Sequence, residues 1–422
     1  MKTAEEKRAS AAYIAKHGRI RPSHAVRNDA ALDTAMISVI AGSGWDETSV
    51  NKVAKVAGLT NGAVHSRFAD KGALGAHAWD TQLRAPLTEA LDTAITAGLA
   101  ADASSPAAAA RTLAPFAAAM DAFIRPETNV RAALDLVIGS HFDPQQRAAV
   151  FDPMAAWLRD RCQPPGTPAD PARAAQATAI AIWALGLIVF SNRPWVDAID
   201  PAPAIARIHD ALAHPAKAKR LPQTTADYLR ASPFDTGDPR VDMILLSALE
   251  SIGTVGYQRT RIADATRAAG VSESFAFTRY PTKLDLFIAI NATAYEQAYA
   301  DFQAFRATIA EAQGPGIAEA VTWREYLAPD VAGRRIVGIE TDRLSWYDAR
   351  MRDVAFPADT AVLDGILTGV PKAARPEMTG HVHLDFASGH GLPLIGALLP
   401  DSWQLPFDVV TVPHTASDPL PA

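Results

Sequence analysis

The chain has 422 residues, 49% hydrophobic and 20% charged, with a net charge of −6 and one cysteine. That length suits two to four domains with enough apolar material for packed cores. Cys162 alone excludes an internal disulfide framework and a cysteine-based zinc site, and residues 1–20 lack the apolar segment of a secretion signal. Ala and Leu are abundant while Pro and Gly cluster between periodic runs, so an all-helical, cytoplasmic protein is expected.

Residues 1–28 form a basic arm. Over residues 1–29, seven basic side chains face three acidic ones, a local charge of +4. Such an arm tracks phosphates or enters a minor groove; the plainer reading is a solvated tail. A first helix at 29–43 places Leu32, Ala35, Met36, Val39 and Ile40 at helical spacing. Residues 44–74, GWDETSVNKVAKVAGLTNGAVHSRFADKGAL, then read as helix, tight turn, helix, turn, helix. Thr48 and Ser49 are cap candidates, Gly58 suits a left-handed helix end, Thr60 caps a helix at 61–67, and Asp70 caps one from Lys71. The helix from Lys71 continues to 91, interrupted near Pro86.

Further helices are expected at 128–141, 144–162 and 171–190, with a loop at 163–171 and Pro106 at a helix start. Residues 174–190 are apolar nearly all round, as in a helix buried on every side. Residues 215–237 read as a flexible linker. The next helices are expected at 241–252 and 282–311, stopped by Gly314-Pro315-Gly316, and then near 317–327, 331–350, 358–369 and 377–399. The tail, 403–422, has four prolines and a β-prone patch at 407–412, and is expected to be an extended strap or disordered.

Residues 256–286, GYQRTRIADATRAAGVSESFAFTRYPTKLDL, repeat residues 44–74 without a gap at an offset of 212. Gly44, Thr48, Ala57-Gly58, Arg67, Lys71 and Leu74 return as Gly256, Thr260, Ala269-Gly270, Arg279, Lys283 and Leu286.

Two short helices joined by a Gly-containing turn make a helix-turn-helix. Thr48-Ser49-Val50, Ala57-Gly58-Leu59-Thr60, Gly62, Val64, Arg67-Phe68, Lys71 and Leu74 resemble the DNA-binding domain of the TetR (tetracycline-repressor) family. The resemblance implies an all-α protein of two tandem modules, each a three-helix head followed by a helical ligand-binding and dimerisation body. The divisions are a basic arm at 1–28, head one at 29–75, body one at 76–214, the linker at 215–237, a divergent head two at 238–288, body two at 289–402 and the tail at 403–422. The chain departs from the family pattern at His65, where Tyr is usual, and at Arg67, where His is frequent. In the family the last body helices form the dimer interface. Residues 174–190 are therefore an interface candidate, with a central core helix as the alternative.

The resemblance puts the start of the second helix-turn-helix helix in the major groove. Thr60, Asn61, Gly62 and Ala63 would meet base edges; Asn61 offers an amide to adenine. Thr48, Ser49, His65, Arg67 and Lys71 would meet phosphates. In head two the candidates are Arg261, Ser272, Thr278, Arg279 and Lys283, with Arg259. Glu273 replaces Asn61 and opposes phosphate, Phe275 replaces Ala63, and Phe277 stands where Tyr is usual. Head two is either a second reader with different specificity or a degenerate head kept for packing.

Phe116, Phe123, Phe151, Trp157, Trp183, Trp323 and Trp346, with Tyr326 and Tyr347, could line a pocket for an unknown small molecule or be ordinary core. His381, His383 and His390 lack a metal-ligand pattern, since positions i and i+2 of a helix do not face together. No catalytic or cofactor motif is present, so no enzyme activity, cofactor or metal is expected. The expected function is a ligand-responsive DNA-binding regulator, a repressor of a double-stranded operator, built as an intramolecular pseudodimer or as a homodimer of whole chains. The alternative is a non-enzymatic assembly module whose heads no longer read DNA.

Overall fold

The computed structural model describes residues 23–163 and 170–410, and every regular element among them is helical. Nearly all of the arm, the centre of the 163–171 loop and the tail after Val410 lie outside the described residues. By compactness the chain divides into Met1–Leu87 with Thr128–Val150, and Thr88–Glu127 with Phe151–Ala422.

Head one comprises α1 (Ser23–Ser43), α2 (Val50–Val56), α3 (Asn61–His65) and α4 (Lys71–Ala78). α4 passes through a π-helical turn, Trp79–Leu83, into α5 (Arg84–Leu99). Pro86 has no N–H for the Gln82 carbonyl and its ring crowds that group, so the helix widens just ahead of it. The same solution recurs before Pro153, where a π turn, Arg147–Phe151, precedes α9 (Asp152–Cys162). Between them lie α6 (Pro106–Ile124), α7 (Thr128–Ser140) and the single turn α8 (Pro144–Gln146). Ser105 caps α6, accepting from the Ala108 N–H at 3.1 Å. α10 (Pro171–Phe190) and α11 (Ala202–Ala213) follow.

The second half holds α12 (Pro239–Arg259), α13 (Ile262–Ala268), α14 (Glu273–Arg279), α15 (Lys283–Gln313), α16 (Pro315–Leu327), α17 (Ala332–Ser345), α18 (Ala349–Leu367) and α19 (Arg375–Leu398). α15 stops at Gly314, whose φ is +90°. α18 begins at Ala349 rather than 358, because Asp348 caps it by accepting from the Arg350 N–H at 2.8 Å.

Two further expectations are not met. The 215–237 linker is not a free chain. Ala226, Leu229 and Phe234 are buried, Arg324 donates to the carbonyls of Pro222 at 2.8 Å and Thr224 at 3.2 Å, and the Ala226 N–H donates to Glu325 at 3.0 Å. Its backbone polar groups thus find partners that a loose linker would take from water. The patch at 407–412 forms no strand over its described part. Phe407–Val409 is one 3-10 turn, with Phe407 wholly buried against Trp323, ring centroids 5.3 Å apart.

In the first unit, Leu32, Met36 and Ile40 of α1 are buried, as are Trp45, Val53, Val64, Leu74 and Trp79, and α1 lies against α7. In the second unit, α10 runs against α19 in the most extensive helix pairing of the fold. α10 is long and apolar enough to cross a membrane, but 83% of its apolar window is buried inside the protein. Its crossing with α19 is set by two glycines. A Cβ on Gly186 would lie 1.7 Å from the Ala387 carbonyl oxygen, and one on Gly391 would lie 1.8 Å from that of Ile182.

Those four residues reveal a second repeat. Ile182 and Ala387, like Gly186 and Gly391, differ by 205 in number. The same offset carries Ser140, Asp143, Arg147, Phe151 and Leu158 to Ser345, Asp348, Arg352, Phe356 and Leu363, with no residue type changed. The contacts repeat as well. Ser140 Oγ donates to the Val137 carbonyl at 2.8 Å, and Ser345 Oγ to that of Asp342 at 2.6 Å. Arg147 donates to the His141 carbonyl at 3.2 Å, and Arg352 to that of Trp346 at 3.4 Å. Gly186 therefore meets Ala387 and Gly391 while Gly391 meets Ile182 and Gly186. This reciprocal contact is the kind that two-fold-related surfaces make.

Candidate nucleic-acid interface

The two heads share most of their local geometry. In head one, Gly44 (φ +79°) ends α1, and Thr48 Oγ1 donates to its carbonyl at 2.8 Å. In head two, Gly256 (φ +79°) kinks α12, and Thr260 Oγ1 donates to its carbonyl at 2.9 Å. α2 ends at Gly58 (φ +66°), whose N–H returns to Lys55 while that of Leu59 returns to Ala54. α13 ends at Gly270 (φ +68°), with the N–H groups of Gly270 and Val271 returning to Arg267 and Thr266. This pair of bonds closes a helix only around a left-handed residue, the conformation glycine adopts at least cost. Thr60 and Ser272 cap α3 and α14, and Asp70 and Thr282 cap α4 and α15. Each head is also tied to a helix from its own body. The Trp45 N–H donates to the Asp135 carboxylate on α7, and the Tyr257 N–H to Glu340 on α17 at 3.3 Å.

Several residues read as DNA contacts also have internal partners. Thr48 is 3% exposed and holds the turn, as its repeat counterpart Thr260 does in head two. Lys71 Nζ donates to the Asp46 carbonyl at 2.8 Å and lies 4.6 Å from the centre of the Trp45 ring. Lys283 repeats this on the carbonyls of Gln258 and Tyr257 and the Tyr257 ring. Both lysines therefore lock the turn after the first head helix. Arg67 is paired with Asp29 at 3.0 Å, and Arg279 with Asp238 at 3.6 Å.

What head one leaves exposed is the leading turn of α3. Asn61 and Gly62 are open to solvent, nothing lies within 4 Å of where a Gly62 Cβ would stand, and Ala63 is half-buried. Thr60, His65 and Ser66 are exposed beside them, and Ser49, half-buried, caps α2 by accepting from the Lys52 N–H at 3.2 Å. Sequence reasoning missed Lys52 and Lys55, exposed cations on α2. Their spacing, opposite the buried Val50, Val53 and Ala54, was the available signal.

Head two presents a different face. Glu273, Ser274, Thr278 and Arg261 are exposed, and Phe277 is 44% exposed. Phe275 lies under two guanidinium groups, those of Arg240 at 4.5 Å and Arg279 at 4.3 Å, and both arginines also pair with Asp238. Arg261 stands where Ser49 caps α2, but makes no cap bond to α13.

The other candidates are dispersed. Phe116, Phe123, Phe151, Trp183, Trp323 and Trp346 are buried. Phe116 meets His209, Trp183 meets Trp323 edge-on at 5.6 Å, and Trp346 Nε1 donates to the Val189 carbonyl at 2.9 Å. Trp157 is half-buried beneath Arg161. A cleft of about 620 Å³ lies elsewhere, along α18, and is lined by residues including Arg352, Phe356, Thr360 and Asp364. The three histidines have separate partners: His381 has Glu377, His383 accepts from Trp195 Nε1, and His390 binds Asp342. Burial holds the His383 pKa down at about 3, aided by the nearby charges of Arg193, His390 and Arg125. Burial also pushes the Cys162 thiol up to about 12, leaving it unreactive.

Neither protein-family models nor curated proteins give a match to this chain.

Proposed function

We propose that the chain is a sequence-specific DNA-binding regulator made of two TetR-like modules, acting as a repressor that a small molecule releases. The observation that carries the reading is the α3 leading turn. Asn61, Gly62 and Ala63 form an exposed helix start with little side-chain bulk, held by a capped and locked turn. A helix end of that shape lets backbone and a single amide approach base edges in a major groove. Ser49, Lys52 and Lys55 flank it for phosphates. The reciprocal Gly186–Gly391 crossing supports an arrangement in which the two bodies of one chain pair as a homodimer's would. The effector is a ligand that shifts the spacing of the heads. It would have to part the packed body rings or act from another surface, such as the α18 cleft. The setting would be cytoplasmic.

A gel shift with the protein's own upstream DNA across a salt series tests the reading. Specific retardation that weakens steeply with salt is expected, and no retardation at moderate salt would sink it. For head two alone, a second reading as an assembly surface is favoured by the exposed Phe277 and by arginines held on Phe275 and Asp238.

A further inference from the structure

A buried ionic cluster joins the two modules within the second unit. Arg193, just past α10, is 1% exposed at its side chain. It pairs with Asp342 of α17 at 2.9 Å and Asp359 of α18 at 2.7 Å, themselves 5% and 3% exposed. Its guanidinium also lies over the Phe190 and Phe356 rings, and His390 of α19 closes the cluster on the second Asp342 oxygen. The body repeat makes this cluster one-sided. At the 205 offset, Asp342, Asp359 and His390 correspond to Val137, Met154 and Leu185, and Arg193 corresponds to Leu398. All four counterparts are buried. One of the two repeat-related sets of positions thus forms an ionic cluster drawn from both modules, where the other set is apolar.

We propose that this asymmetry makes the α10–α19 surface specific for the unlike module of the same chain and rejects a like module from a second copy. The inference rests on the pseudodimer reading above. Suppose two copies of module one paired through α10. Each Arg193 would then face aliphatic positions and be buried without a carboxylate. Two copies of module two would bury Asp342 and Asp359 without a guanidinium. His390 of the same module would still reach Asp342 there, but Arg193 in the like pairing of first modules would be an uncompensated buried charge, which is costly, and only the unlike pairing gives it carboxylates. The linker, fastened to Arg324 and Glu325 on α16, favours the pairing within one chain over an exchange between chains.

The test replaces each cluster residue by its counterpart in the full chain: Arg193→Leu, Asp342→Val, Asp359→Met and His390→Leu together. Apolar replacement of a whole buried ion cluster is often neutral or stabilising, so the variant should fold. Light scattering over a concentration series should show the wild type at its 44.8 kDa chain mass. The variant should shift toward twice that mass as concentration rises. Arg193→Gln is the second probe. It weakens the crossing without making it self-complementary, so a lower Tm at monomer mass is expected. A fourfold variant that stays monomeric, or that fails to fold, would overturn the inference, as would dimers of Arg193→Gln. A wild type already at twice the mass would instead overturn the pseudodimer reading, so the two failures are distinguishable.

Discussion

Head one and head two have the same internal scaffold and different outer faces. Gly58 and Gly270, Thr48 and Thr260, and Lys71 and Lys283 make matching contacts. Yet Asn61, Ala63 and His65 on one face stand against Glu273, Phe275 and Phe277 on the other. Positions that close a turn or fill a core are constrained by geometry, whichever surface they support. Positions on the outer face answer only to what they meet. The divergence between the heads therefore marks the surface on which they differ in use.

The largest effect should come from exchanging those faces. Asn61→Glu with Ala63→Phe places a carboxylate and a bulky ring at the α3 leading turn. A loss of at least ~100-fold in DNA affinity is expected, roughly 3 kcal/mol, because like charge across an interface costs several kcal/mol. Fluorescence anisotropy at fixed salt measures it. An unchanged affinity would remove head one from the interface and break the comparison at its root.

A second contrast separates the bodies. His383 corresponds at the 205 offset to the buried Thr178, so module two carries a buried titratable ring where module one has a hydroxyl. Burial, with Arg193, His390 and Arg125, holds the folded pKa near 3 against an ordinary 6.5. Between these values the unfolded chain binds the extra proton, so stability rises with pH there and is lost on acidification from about 6.5 toward about 3. His383 contributes up to about 1.4 kcal/mol per pH unit inside the window and nothing above it. His209 and His381 are also lowered by burial and act in the same sense. Chemical denaturation of His383→Gln from pH 7 to pH 4.5 should show a shallower decline than the wild type. Parallel curves would mean that the ring protonates without opening the fold.

The lysines test whether scaffold and surface are rightly divided. Lys71→Ala and Lys283→Ala should each cost about 2 kcal/mol of stability, from lost charged hydrogen bonds and a cation–π contact. Neither should change the salt dependence of binding. Lys52→Ala and Lys55→Ala should do the reverse, each reducing the salt slope by about 1 with Tm unchanged. A reduced slope for Lys71→Ala would return that lysine to the phosphate-contact set.

Much of this was legible in the sequence because local rules decide it. The caps at Thr60 and Asp70, the Gly58 helix end, the α10 span and the Gly314 stop follow from side-chain chemistry within a few residues. The internal role of Lys71 was not legible because its partners, Trp45 and the Asp46 carbonyl, are brought to it by the fold, and a basic residue at that place reads first as a phosphate contact. The linker was misread because its composition suits a free chain while Arg324 and Glu325, far along the sequence, supply its hydrogen bonds. The body repeat was present in the sequence but lies at 205 rather than 212, and its identities are sparse. The reciprocal Gly186–Gly391 contact makes that offset plain.

The smallest expected effect is also the most direct test of head two. Ser49 caps α2 in head one, while its counterpart Arg261 offers α13 no acceptor. An acceptor at that position satisfies an otherwise unpaired helix N–H and is worth about 1 kcal/mol. Ser49→Ala should therefore lower stability by about that amount, and Arg261→Ser should raise it by ~0.5–1 kcal/mol, since extended backbone is already in place at Arg261 (φ −120°, ψ 139°). Binding separates two uses of the arginine. If head two only supports assembly, Arg261→Ser gains stability and leaves the salt slope of DNA binding as it was. If head two lies on DNA, the same variant gains stability but loses about one unit of slope, because an exposed cation has left a phosphate. A variant with no gain in stability would show that the Arg261 turn does not accept a cap, and the match between α2 and α13 would end at the backbone.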